Sequence, residues 1–112
     1  MLPDAGDLAW FYFDQTLGTE QAGRRPGLVL SNRDYHERSP RALVCPISRR
    51  TVPYFFNVML PEGMNTQGVV LVDQLRAMDC ERRMHQLIER APDEVVAEVL
   101  AKLSVLLGYD RV

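Results

Sequence analysis

At 112 residues, with 46% hydrophobic and 25% charged side chains, the chain is long enough for one core and too short for two, and its composition is not that of a disordered or fibrous polymer. No apolar run approaches the length of a bilayer span, the longest blocks being Leu8–Phe13 and Val69–Val72. The formal net charge of −2 speaks against a generally basic nucleic-acid binder, but its distribution is uneven.

Between residues 24 and 50 stand seven arginines (Arg24, Arg25, Arg33, Arg38, Arg41, Arg49 and Arg50) against two acids, Asp34 and Glu37. That segment therefore carries a surplus of five positive charges, and the rest of the chain a surplus of seven negative ones. All cations but Lys102 are arginines, whose planar fork suits bidentate contact with phosphate. Met1–Asp4 lacks the basic flank and apolar stretch of a signal peptide, so the expectation is one cytoplasmic domain over residues 1–112 with no membrane partner. Cys45 and Cys80 are isolated from each other and from paired histidines, which predicts buried, reduced thiols and no metal or cofactor.

In chain order, most of the sequence reads as short strands broken by turn residues. Leu8–Phe13 is an aromatic and apolar strand ended by Asp14-Gln15-Thr16, and a loop with Gly18 and Gly23 leads into a second strand, Gly27–Ser31. Pro26 fits only the start or edge of that strand. Asn32–Pro40 is polar and reads as a helical turn plus loop. Ala42–Ile47 and Tyr54–Leu60 are further strands joined by the basic turn Ser48–Pro53. Pro61-Glu62-Gly63 forms a turn, Gly68–Val72 is apolar on both faces and reads as a central strand, and Asp73–Met78 continues extended. Met84–Glu89 fits a strand or a short helix.

A C-terminal helix starts at Pro92, with Asp93 and Glu94 favouring its positive end. Val95, Val96, Val99, Leu100, Leu103, Leu106 and Leu107 fall on one helical face as a packing stripe, and Gly108 ends the helix. The fold class is mainly β: a small barrel crossed by a C-terminal helix.

The usual hydrolytic signatures are missing. There is no Gly-x-Ser-x-Gly elbow, P-loop or dinucleotide fingerprint, and His36 and His85 lie in different segments, each expected at the surface. A different set is more specific. The glycine-hinged loop carries Glu20 and is followed by Arg24-Arg25 before the proline-started strand. Cys45-Pro46-Ile47-Ser48 ends a strand on a hydroxyl, and Val72-Asp73-Gln74 ends another on two polar groups. Gathered at one rim of a barrel, these would line a groove with a carboxylate, a guanidinium, a hydroxyl and an amide.

Those strings resemble the MazF/PemK family of toxin endoribonucleases. The resemblance runs through Gly6-Asp7-Leu8-Ala9-Trp10, the stretch from Gly18 to Ser31, Pro46-Ile47-Ser48, Asp73-Gln74 and the helix from Pro92 to Gly108, in order and at matching spacing. It implies an SH3-like barrel with a C-terminal helix, assembled as a two-fold homodimer, that cuts single-stranded RNA at short sequences without a metal. It further implies a MazE-like antitoxin whose acidic tail covers Arg24, Arg25, Arg49 and Arg50.

By the same resemblance the catalytic set is Arg25, Ser48 and Glu20. Arg25 stabilises charge on the phosphate, Ser48 (where the family has threonine) hydrogen-bonds a phosphate oxygen, and Glu20 acts as a base or organises its loop. RNA contacts are expected from Thr19, Gln21, Arg24, Arg49 and Arg50. Asp73 and Gln74 shape the pocket or read a base. Tyr54 and Phe56 are candidates for base stacking, with packing the expected role of at least one. The alternative is a toxin of the same fold directed at a protein such as DNA gyrase, or a non-catalytic binding module.

Overall fold

The computed structural model describes residues 2–13 and 23–109. Seven strands form one antiparallel sheet: β1 (Asp7–Tyr12), β2 (Arg24–Val29), β3 (Arg41–Ser48), β4 (Asn57–Met59), β5 (Val69–Leu71), β6 (Arg76–Asp79) and β7 (Met84–Arg90). Their order is β4-β5-β3-β2-β1-β7, with β6 also paired to β3. Short helices α1 (Arg33–His36) and α2 (Cys80–Arg83) interrupt the strands, and α3 (Asp93–Leu106) follows them. The sheet curls without closing, a barrel-like form consistent with the predicted class.

The strands bury both faces, and each face has its own core. Leu8, Leu28, Cys45, Ile47, Val58 and Val70 gather under α3, which contributes Val95 and Val99. Ala9, Phe11, Phe13, Val29, Val44 and Met78 fill the opposite side. Alternation along β1 and β2 sends neighbouring residues such as Leu28 and Val29 to different cores. Packing is close where β1 and β3 pass over β2: a Cβ at Gly27 would strike the Val44 side chain and press on Phe11.

β3 is the organising strand. Its first half pairs with β6 (Arg41 opposite Asp79) and its last two residues pair with β5 (Ser48 opposite Val69), while the middle pairs with β2 (Gly27 opposite Pro46). Between β5 and β6 the chain does not run on extended, as Asp73–Met78 had suggested. Val72–Gln74 makes a 3-10 turn that carries the strand from one end of β3 to the other.

Three further expectations change. The strand expected over Tyr54–Leu60 shrinks to Asn57–Met59, because residues 54–56 turn so that the Asn57 amide donates to the Tyr54 carbonyl (3.0 Å). The second strand begins at Arg24, ahead of the expected Gly27, which brings both arginines into the sheet. The α3 stripe is only partly packed: Val95 and Val99 are buried and Val96 and Leu103 pack against the core, whereas Leu100, Leu106 and Leu107 are exposed, since α3 covers only one end of the sheet. Pro92 caps the helix, and Gly108 (φ +80°) terminates it in the left-handed conformation.

His36 is not a surface residue. It is buried, with Nδ1 2.7 Å from the Pro3 carbonyl and Nε2 2.7 Å from Ser31 Oγ, which also accepts from the Leu43 amide at 2.9 Å. A carbonyl only accepts, so Nδ1 carries the proton, and the ring ties the N-terminus to β3. His85 lies exposed beside Tyr12. Met84–Glu89 resolves as strand, within β7.

Candidate active site

Arg25 and Ser48 come from adjacent strands. The β2–β3 register (Gly27 opposite Pro46), carried two residues on, brings Arg25 opposite Ser48, and both residues line one cavity of about 500 Å³. Arg24, Arg49 and Arg50 line it as well, and no acidic residue does among those described. The Arg25, Arg49 and Arg50 guanidinium groups have no acidic partner among the described residues. Arg24 lies over the Trp10 ring, 4.7 Å from its centre. Guanidinium groups without an acidic partner among the described residues, gathered on one concave surface, have the chemistry to receive an anion such as a phosphate.

Ser48 is both a turn residue and a free donor. Its Oγ accepts from the Arg50 amide at 3.1 Å, which folds residues 48–50 around it. Among the described residues the hydroxyl proton has no acceptor, so it can be given to an oxygen in the cavity.

A second groove, of about 340 Å³, adjoins the first and shares Ser48 and Arg50 with it. Its other wall holds Tyr54, Asp73 and Gln74. Tyr54 donates from its hydroxyl to Asp73 Oδ2 at 3.0 Å, and that bond together with the carboxylate charge raises the phenol above its ordinary pKa. Asp73 thus reaches the groove already engaged on one oxygen. Beneath it, burial pushes the Cys45 thiol up to about 12, with a smaller contribution from Asp73. Cys80, half-buried, is raised for the same first reason.

The structure thus brings together Arg24, Arg25, Ser48, Arg49 and Arg50 in one cavity, and Tyr54, Asp73 and Gln74 in its neighbour. Phe56 is in neither: its ring packs on the core and stands edge-on to Tyr54 (5.8 Å) and Phe55 (4.9 Å), so its role is packing. Thr19, Glu20 and Gln21 lie outside the described residues.

The sequence reading overlooked the far wall of the main cavity, Asn65, Thr66 and Gln67, together with Trp10 and Ile88. That wall is anchored at two points. The Glu89 carboxylate accepts from the amides of Asn65 (3.2 Å) and Thr66 (2.6 Å). Gly68 (φ +124°) then approaches so closely that a Cβ there would overlap the Ser48 carbonyl. Glycine before an apolar strand was the one available sequence signal.

Comparison with known proteins extends this picture. The family model described as PemK-like, MazF-like toxin of type II toxin-antitoxin system matches residues 4–107. The endoribonuclease toxin MazF of Escherichia coli K12 is 36% identical over 107 residues, covering 96% of both chains. A crystal structure of MazF from Deinococcus radiodurans superposes with a TM-score of 0.86 at 44% identity, covering 96% of this chain and 98% of that one. A MazE-MazF crystal structure from the same organism gives 0.85 at 40% identity, over 98% and 99%.

Proposed function

The chain belongs to the PemK-like, MazF-like toxins of type II toxin–antitoxin systems, and from that premise we propose that it is a metal-independent endoribonuclease cutting single-stranded RNA. The observation that carries this reading is that Arg25 of β2 and Ser48 at the end of β3 line one cavity together with guanidinium groups that have no acidic partner among the described residues.

The substrate supplies its own nucleophile. The ribose 2′-oxygen attacks the adjacent phosphorus while the bond from phosphorus to the 5′-oxygen breaks, leaving a 2′,3′-cyclic phosphate and a 5′-hydroxyl. One proton leaves the 2′-hydroxyl and one reaches the departing oxygen. Arg25 offers two N–H donors to the non-bridging oxygens, where negative charge grows, and Ser48 adds the proton its turn leaves free. Removing a donor of this kind costs about 10²–10³ in rate. The resemblance assigns proton removal or loop organisation to Glu20.

Arg49 and Arg50 hold neighbouring phosphates, and the groove of Tyr54, Asp73 and Gln74 receives a flanking nucleotide. The proposal extends to one toxin domain working in the cytoplasm as a homodimer and silenced by an acidic MazE-like antitoxin. The uncommitted arginines support the last point, and the exposed Leu100, Leu106 and Leu107 of α3 support a partner-covered surface. No helix among the described residues is long and apolar enough to cross a membrane.

The test is an oligoribonucleotide bearing a mapped cut site, compared with the same strand carrying one 2′-deoxy sugar at the scissile position. The ribose strand is cut to a 5′-hydroxyl end and the substituted strand is not. Equal cutting of both overturns the mechanism. RNA that yields no cut site to map favours a protein target over RNA.

A further inference from the structure

The wall formed by Asn65, Thr66 and Gln67 has a build that the phosphate chemistry does not use. Its backbone is fixed at both ends, by the Glu89 carboxylate on the amides of Asn65 and Thr66 and by the contact of Gly68 with Ser48. The Asn65 and Gln67 side chains are exposed, and among the described residues their carboxamides make no hydrogen bond, although both residues line the cavity that holds Arg25 and Ser48. Thr66 is 3% exposed, and its hydroxyl has no partner among the described residues. Buried polar groups are nearly always paired, by protein or by ordered water, so the Thr66 hydroxyl leaves one hydrogen bond open behind this wall.

A carboxamide carries a donor and an acceptor side by side, the pattern that matches the hydrogen-bonding edge of a nucleobase, while Trp10 and Ile88 give the same cavity apolar surface for a base's face. Phosphate needs only donors, and the arginines already supply them.

We propose that Asn65–Gln67 is a base-reading wall: its side chains recognise the edge of one nucleobase next to the scissile phosphate, and Glu89 is the positioning residue that holds the wall in register with Ser48. The inference rests on the endoribonuclease reading and adds the source of sequence preference on this side of the site. Gly68 couples the wall to Ser48, so correct base pairing at the wall and correct phosphate placement occur together.

The experiment is cleavage of one long single-stranded RNA by wild type, Asn65→Ala, Gln67→Ala and Thr66→Val, with every cut site mapped and thermal melts confirming that each variant is folded. Asn65→Ala and Gln67→Ala are expected to lose about tenfold or more of the discrimination at one flanking position, so that cuts spread to sequences the wild type spares. Glu89→Ala loosens the same position, and Glu89→Gln, which retains one acceptor, falls between it and wild type. A merely structural role would lower all cuts in proportion and leave the sequence profile unchanged. Wild-type cleavage with unchanged profiles in folded Asn65→Ala and Gln67→Ala overturns the wall and leaves the endoribonuclease intact. RNA left whole by wild type overturns both.

Discussion

Gly68 stands against the carbonyl of Ser48 so closely that no other residue fits between β5 and the end of β3. The backbone there has φ of +124°, a conformation that side-chain-bearing residues rarely adopt. Steric contact and dihedral angle therefore make the same demand, at the point where the loop from Asn65 meets the backbone of Ser48, whose hydroxyl is proposed to bind phosphate.

Gly68→Ala is expected to lower stability by about 1–3 kcal/mol and to reduce RNA cleavage more than a core substitution of equal cost. Denaturant unfolding beside a cleavage rate checks both. Wild-type stability for the variant contradicts the close approach.

Arg49 and Arg50 are assigned to phosphates rather than to bases. Replacing either with alanine should weaken binding of an uncleavable single strand similarly for all sequences. It should also flatten the slope of log affinity against log salt by about 0.7. A slope unchanged in both variants removes these arginines from the RNA path.

The hydrogen bond from Tyr54 to Asp73 predicts a phenol that ionises above the ordinary phenol pKa. Its folded pKa is raised, so the stability it contributes is present below the ordinary phenol pKa and disappears as pH rises through the raised value. An absorbance titration should show a late tyrosine component in wild type that moves to lower pH in Asp73→Asn. Superimposable curves contradict the contact.

The fold was largely legible because its signals are local. Short runs of apolar and aromatic residues marked β1 and β3, and the spacing of valines and leucines marked α3. What escaped is set by tertiary contact. Tyr54-Phe55-Phe56 has strong strand propensity, yet Tyr54 turns away to Asp73, and Phe56 packs inward instead of facing the groove. His36 looked like a surface residue because Pro3, 33 residues earlier, becomes its neighbour only when the N-terminus docks against α1 and the end of β2. In the site, Arg25 and Ser48 were legible through family resemblance. Asn65–Gln67 was not, because a polar loop acquires meaning only from the cavity it borders and from Glu89, 23 residues beyond Thr66.

The thiols test the packing independently. Burial raises Cys45 to about 12 and also raises Cys80, so thiolate is scarce at pH 8. Alkylation of the native protein should be slow at Cys80 and absent at Cys45, and both should react at once in denaturant. Rapid labelling of native Cys45 contradicts the core.

The most direct test of the central claim is incubation of the purified protein with a long single-stranded RNA in excess EDTA, with Arg25→Ala and Ser48→Ala in parallel. The account predicts discrete fragments with 5′-hydroxyl ends from wild type and a loss of about 10²–10³ in rate for each variant. Intact RNA from folded wild type, or undiminished cutting by folded Arg25→Ala, would contradict it.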